Sequence, residues 1–341
     1  MTTRPPFPPR DHYQELTDRI LAALETGVKP WAKPWDDAAA SGPSAPVNAV
    51  TGRLYRGVNT IILGMDPRAF ESGDPRWATF NQAKGKGWNV RKGERATTIF
   101  FYKALEIEGE TADAPARRVP LLRAFPVFHA SQIEGVPARA KPTADEAPWI
   151  RPEAAQIILE GSQAAIRIGG PRAYYSPGTD HIQLPPHEAF SGPAAWAATA
   201  LHELGHWTGH PSRLNRDLRG RFGSGAYAQE ELRAELSSVF VGGVLGIPAD
   251  IPNHASYIAN WIRALKDDKR EIFRAAADAQ RIADMELGFH PAFAASVQAD
   301  SSHEDETTAP ETGPPKVPSP AGPTRPGRAF HARRPARTPA P

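Results

Sequence analysis

The chain has 341 residues, enough for two folded domains, with 40% apolar residues and a formal net charge of only +2. It has no cysteine, which excludes disulfides, thiolate metal sites and cysteine nucleophiles and fits a reducing, cytoplasmic setting. No stretch approaches the ~18 uncharged apolar residues of a membrane span, the N-terminal MTTRPPFPPRDHYQ lacks the apolar core of a secretory signal, and any affinity for nucleic acid has to come from local patches rather than from the overall charge.

Residues 1–10 are proline-rich and expected to be disordered. From 11 to 26, Tyr13, Leu16, Ile20, Leu21 and Leu24 fall on one helical face, and Gly27 supplies a helix stop. Residues 29–46 read as an extended surface segment. A compact mixed region follows from Asn48 to Glu134, with helices near 59–63 and 79–84 and strands near 97–103 and 121–129; the charged, Pro/Ala-rich stretch from Glu106 to Val119 reads as a hairpin insertion or long loop. Composition makes 136–148 a linker. Beyond it the pattern predicts a helix over 152–164, short strands at 165–168, 173–176 and 181–184, and long helices at about 194–210, 226–245, 255–265 and 268–285. The proline-rich 293–341 tail, acidic first and basic last, is expected to be disordered. The fold class is therefore α+β, with domains at 11–135 and 149–292, the second combining a small sheet with long helices.

The sequence AAWAATALHELGHWTGH contains H-E-x-x-H. On a helix, His202 and His206 project from one face and can chelate one ion, while Glu203 is placed to accept a proton from a water that the ion polarises. In the gluzincin arrangement the third ligand is a glutamate on a second helix. Glu231-Leu-Arg-Ala-Glu235 fits that form, so Glu231 is assigned as ligand and Glu235 as the carboxylate that orients a histidine, with Glu235 also the rival ligand and Glu230 a solvated charge. His210 is an alternative ligand, but Gly209 and Pro211 flank it and favour a cap or site wall. Ser212 stands where a metzincin needs its third histidine. Ligands of this N/O type suit Zn²⁺, with Mn²⁺ as an alternative. The strand 181–184 is a candidate edge for pairing a peptide substrate, with Asp180, Tyr174 or Tyr175 lining the cleft; their bland alternative is hairpin and core packing.

Between Arg76 and Lys103 seven basic residues face a single acid, Glu94, and aromatic residues interleave them. Single-strand binders need this mixture, because cations track phosphates while rings stack on unpaired bases. Candidate contacts are Trp31, Trp35, Tyr55, Arg56, Trp77, Lys84, Lys86, Trp88, Arg91 and Lys92, although a domain this small also needs aromatic residues for its core.

Taken together, these residues make the chain resemble the ArdC-type antirestriction proteins of mobile elements. The N-terminal likeness rests on Pro30-Trp31, Pro34-Trp35, Pro46-Val-Asn48, Thr51-Gly-Arg-Leu-Tyr55-Arg-Gly57-Val-Asn59, Trp77-Ala-Thr-Phe80-Asn-Gln82-Ala83, Val90-Arg-Lys-Gly93-Glu94 and Val127-Phe128-His129-Ala-Ser-Gln132-Ile-Glu134-Gly135. The C-terminal likeness rests on His202-Glu203-Leu-Gly-His206-Trp207-Thr208-Gly209-His210, Arg213-Leu214 and Tyr227-Ala-Gln-Glu230-Glu231-Leu-Arg-Ala-Glu235-Leu236. The resemblance covers roughly 11–290. It implies an N-terminal single-stranded-DNA-binding domain, adds Asn59 and Gln82 to the candidate contacts, and implies a C-terminal zincin-like metallopeptidase domain and protection of incoming conjugative DNA from host restriction. His129 departs from an expected asparagine. Rival functions are a DNA-coating protein with a structural or vestigial metal site, and a delivered effector peptidase. The expected partners are single-stranded DNA and a protein substrate, with host restriction machinery as one candidate, and no membrane.

Overall fold

A computed structural model describes residues 11–31, 44–107, 117–139, 150–221, 224–247, 255–295 and 297. Trp35, the N-terminal ten residues, most of the 136–148 segment and the basic tail lie outside them.

The first half starts with α1 (His12–Glu25). Asp11 accepts the Gln14 N–H at its start, Gly27 turns away at φ +78°, and Leu16, Ile20, Leu21 and Leu24 form its buried stripe. Next come β1 (Val47–Asn48), α2 (Val58–Gly64), α3 (Pro67–Ser72), β2 (Arg76–Ala78), α4 (Phe80–Gly85), β3 (Asn89–Val90), β4 (Thr97–Ile107), β5 (Arg117–His129) and β6 (Ile133–Glu134). The main sheet has the order β1-β2-β5-β4, and β3 pairs with β6. β4 and β5 stay paired from Thr97↔Val127 out to Ile107↔Arg117. The stretch from Glu106 to Val119, expected as a hairpin insertion or long loop, therefore extends the β4–β5 hairpin at both ends, with 108–116 outside the described residues.

The second half comprises α5 (Ile150–Ser162), β7 (Ala165–Ile168), β8 (Tyr174–Ser176), β9 (His181–Leu184), α6 (Pro193–Trp207), α7 (Gly225–Leu245), α8 (Ala255–Asp267) and α9 (Glu271–Gly288). Its sheet has the order β7-β9-β8. β9 is central and doubly paired, so the expectation that 181–184 offers a free edge is corrected: β8 is the edge strand on that side.

A single apolar core joins the halves. Leu16, Ile20, Leu24 and Trp31 from the N-terminal segment, with Ile61 and Ile62 of α2, belong to the same buried cluster as Leu201, Leu236, Trp261 and Ala279. Trp31 packs against Trp261 with ring centroids 5.8 Å apart. Polar ties run alongside: Thr17 donates to the Lys269 carbonyl at 2.9 Å, the Gly57 N–H donates to Gln280 at 2.8 Å, and Arg56 pairs with Asp284 at 2.5 Å.

This packing engages several of the side chains expected at DNA. Trp31 and Trp77 are buried, as is Tyr55, whose hydroxyl burial pushes its pKa up to about 12. Asn59 is buried and exchanges two hydrogen bonds with the Phe100 backbone, at 2.6 and 2.8 Å. Arg56 is held by Asp284. Gln82 is held in a capping box with Thr79 and also accepts from Asn48. These side chains went to the core and to caps because buried polar groups and large rings stabilise a domain only when satisfied or covered. His129 likewise turns inward: its ring contacts the Asp74 carbonyl at 2.6 Å and Ser131 at 2.8 Å, and burial lowers its pKa. Trp31→Ala is expected to lower the unfolding free energy by about 3–5 kcal/mol, the usual result of emptying a core indole site, as read by denaturant titration.

Candidate metal centre

α6 is built to be packed closely. Its alanines Ala197, Ala198 and Ala200 are buried, and Gly205 lets α7 approach, since a Cβ there would stand 3.0 Å from Ser237 Oγ. That crossing brings His202, His206 and Glu231 together. His202 Nε2 lies 3.6 Å from Glu231 Oε2, and His206 Nε2 lies 3.5 Å from Glu231 Oε1. All three ligand-capable atoms fall within 4.8 Å of one another. Two imidazole nitrogens and a carboxylate, largely buried and drawn close together, form a donor set that fits a divalent ion such as Zn²⁺ or Mn²⁺.

The electrostatics agree with that fit. Burial alone would raise the Glu231 carboxyl, but the charge and hydrogen bonding of His206 and His202 outweigh it and hold the carboxyl far below its ordinary range. Burial likewise disfavours a charged His206, yet Glu231 and Glu230 raise its pKa well above that of a free imidazole. Burial pushes Glu203 upward against the pull of both histidines and, more weakly, of the Tyr175 backbone N–H.

The supporting carboxylate is not the expected one. Glu230 is buried, and its Oε1 lies 3.3 Å from His206 Nδ1. Arg216 grips the same carboxylate at 2.7 and 3.1 Å, and it also donates to the Gly205 carbonyl and to Thr208 Oγ1. A Cβ at Gly209 would stand 3.0 Å from Arg216 Nη2, so glycine there leaves room for the guanidinium. Glu235, expected to orient a histidine, turns away and pairs with Lys29 Nζ at 3.0 Å. Neighbouring residues on a helix point about 100° apart, and this lets Glu231 reach the Nε2 side of His206 while Glu230 reaches its Nδ1. His210 is not among the converging ligands: its Nδ1 accepts the Ser212 N–H at 3.2 Å and lies 2.8 Å from Ser212 Oγ, closing the turn after α6.

The site opens into a cavity of about 700 Å³ walled by Tyr174, Tyr175, Phe190, Leu218 and Tyr227, with His202, Glu203, His206, Glu230 and Glu231 at its polar end. Asp180 is not on that wall. It sits in the β8–β9 turn at φ +46°, clamped by Arg213 at 2.5 and 3.1 Å, and it accepts the Tyr175 hydroxyl at 2.8 Å. Spacing gave no hint of Lys29, Arg216 or the Tyr175 N–H; for Arg216, the only cue is that a buried glutamate near a ligand requires a cation somewhere.

Two measurements follow from this geometry. Glu230→Ala is expected to weaken divalent-metal affinity about 10–100-fold, and Glu235→Ala to leave it within a few-fold, by competition titration against a chelator. Because the metal-free His206 holds its proton more tightly than an ordinary imidazole, metal uptake is expected to release a proton and to weaken as pH falls; calorimetry in buffers of different ionisation enthalpy reads that proton directly.

Residues 10–128 match the N-terminal domain of anti-restriction factor ArdC, and residues 153–278 match a zincin-like metallopeptidase. The chain is 42% identical over 294 residues to a DNA primase TraC of Escherichia coli, covering 81% of this chain and 27% of the relative. A second Escherichia coli TraC is 41% identical over 300 residues and covered to 20%. The chain thus spans about a quarter and a fifth of the length of those two relatives. It is 39% identical over 291 residues to uncharacterized protein y4eC of Sinorhizobium fredii (strain NBRC 101917 / NGR234), covering 83% of this chain and 94% of that one. Two crystal structures of the antirestriction protein ArdC from the R388 plasmid are similar. The metal-free form has 38% identity and a TM-score of 0.68, over 82% of this chain and 98% of that one. The Mn(II)-bound form has 39% identity and a TM-score of 0.67, over 83% and 100%. With most of its length aligned to those structures at such identity, and with a zincin-like metallopeptidase fold behind an ArdC N-terminal domain, the chain belongs to the ArdC family of antirestriction proteins.

Proposed function

We propose that the protein binds single-stranded DNA through its first half, carries a metallopeptidase site in its second, and protects incoming mobile-element DNA from restriction in the cytoplasm. The observation that carries the peptidase reading is the convergence of His202, His206 and Glu231 at the end of an open cavity, with Glu203 beside them and intact. A site that only holds structure has no need of a base there.

His202, His206 and Glu231 would hold the ion, Zn²⁺ by donor type and Mn²⁺ as the alternative. When bound, such an ion supplies Lewis-acid polarisation of water and of a peptide carbonyl. The rest belongs to the chain. Glu230 and Arg216 fix the His206 ring through Nδ1. Glu203, beside the Tyr175 backbone N–H, accepts a proton from the attacking water and passes it to the leaving amine. β8, the edge strand, offers main-chain groups to an extended peptide lying along the cavity. Host restriction subunits are the protein substrates to test first.

His202→Ala is expected to purify without metal and Glu203→Gln to keep it, by elemental analysis. Glu203→Gln should also keep DNA binding while losing proteolysis of restriction subunits. If restriction protection survives in Glu203→Gln, coating of the DNA rather than cleavage is what protects.

The DNA half is expected to prefer single strands to duplex, since duplex hides base faces, and each phosphate contact should contribute about −0.7 to the log–log salt slope. Gel-shift titrations at several salt concentrations measure both; equal affinity for duplex would defeat the single-strand reading.

A further inference from the structure

Among the described residues, the N-terminal half spends most of its rings on packing. Trp31 and Trp77 are buried, Tyr55 and Phe100 are buried, and Phe101 packs edge-on to Phe125. Trp88 is half-buried, close enough to Gly135 that a Cβ there would stand 3.3 Å from its ring, and it packs on the cluster around Ile133. Phe80 breaks the pattern. It is 51% exposed, more than any other aromatic residue among the described residues.

Its exposure comes with a rigid mount. Phe80 opens α4, and that turn is fixed by reciprocal bonds: the Gln82 N–H to Thr79 Oγ1 at 3.2 Å and the Thr79 N–H to Gln82 Oε1 at 3.0 Å. Asn48 adds a third bond to Gln82 at 3.1 Å. An apolar ring held still on the surface has no folding rationale of its own, because water contacts much of it in the native state.

The charges around it are also distinctive. Arg56, Arg68, Arg76 and Arg91 are each engaged by a carboxylate, from Asp284, Asp66, Asp74 and Glu94 respectively. Lys84, one helical turn from Phe80 and so on the same face, and Lys86 just beyond it are exposed and have no ion pair among the described residues. Asn81 and Gly87 beside them are exposed as well. A single ring among free cations and polar groups is not the contiguous apolar centre of a protein–protein interface. It has the composition of a stacking platform on an unpaired strand.

We propose that Phe80 is the ring on which an unpaired base stacks when the protein holds single-stranded DNA, with Lys84 and Lys86 against the flanking phosphates. The proposal rests on the single-strand reading above. Gln82, by the same geometry, is the mount and not a contact.

The test uses the full chain and fluorescence anisotropy with three labelled probes of equal length: an oligothymidylate, an abasic strand and a duplex. Phe80→Ala is expected to weaken oligothymidylate binding about 5- to 150-fold, the span that base–aromatic stacking covers, and to leave abasic-strand binding unchanged. Phe80→Trp should restore it. Lys84→Ala with Lys86→Ala should weaken both single strands alike and flatten the salt slope. Metal content and thermal midpoint serve as folding controls for each variant. Wild-type affinity retained by Phe80→Ala, or equal loss on oligothymidylate and abasic strand, overturns the role of Phe80 while the single-strand reading stands. Failure of the wild type to prefer the oligothymidylate over duplex removes that reading and this proposal together.

Discussion

The Glu231 carboxylate lies 3.6 Å from His202 Nε2 and 3.5 Å from His206 Nε2, in a place that little water reaches. Groups of this kind are stable when buried only if each charge has a partner and each ring a fixed tautomer. The surrounding sequence meets that demand in layers around His206, whereas the Nδ1 of His202 is buried without a hydrogen-bond partner among the described residues. Glu230 faces the Nδ1 of His206, Arg216 neutralises Glu230, and Thr208 and the Gly205 carbonyl take two further guanidinium protons. Gly205 and Gly209 are small because α7 and Arg216 have to come close. The candidate metal centre is therefore a network of seven side chains, His202, Glu203, His206, Thr208, Arg216, Glu230 and Glu231, of which H-E-x-x-H is the visible part.

That network reaches into the other half of the chain. α7 carries a third buried carboxylate, Glu235, one turn beyond Glu231, and the cation against it is Lys29 from the segment after α1. Two residues on, Trp31 lies against Trp261 of α8, whose indole N–H donates to the Ala228 carbonyl of α7. The N-terminal segment is thus part of the packing that holds the ligand helix. Arg56–Asp284 and Gly57–Gln280 tie α9 to the same half. The two family segments share one core, and removing the first would strip α7 and α8 of partners.

How much of this could be read beforehand depends on the range of each signal. H-E-x-x-H and the 3.6-residue periodicity are local, and they located α6, α7, α8 and α9 to within a few residues. Choosing between Glu230 and Glu235 as the partner of His206 was not local: it depends on how α7 is rotated against α6, and periodicity along one helix carries no information about that. Counting aromatic residues failed for the same reason, since Trp77 and Phe80 are three apart and equally aromatic, yet one is fully buried and the other stands in solvent. The two- and three-residue strands β1, β2, β3 and β6 are too short to show alternation, and only their partners define them. α3 is similarly brief, begun by Asp66 capping and Pro67.

Strand β8 brings the remaining constraints together. Its Tyr175 backbone N–H lies beside Glu203, and its Tyr175 hydroxyl bonds to Asp180 at 2.8 Å in the following turn. Asp180 adopts φ +46°, a conformation that non-glycine residues sustain only when their surroundings fix it. Arg213 does so, gripping both carboxylate oxygens while its guanidinium lies 3.7 Å over the Trp207 ring and its Nε donates to the Trp207 carbonyl. Trp207 ends α6, the helix that carries both histidines. The edge strand and α6 are therefore clamped to each other by one arginine. Since α6 also carries Glu203, the position of that carboxylate and the position of the strand bordering the cavity are one geometric variable rather than two.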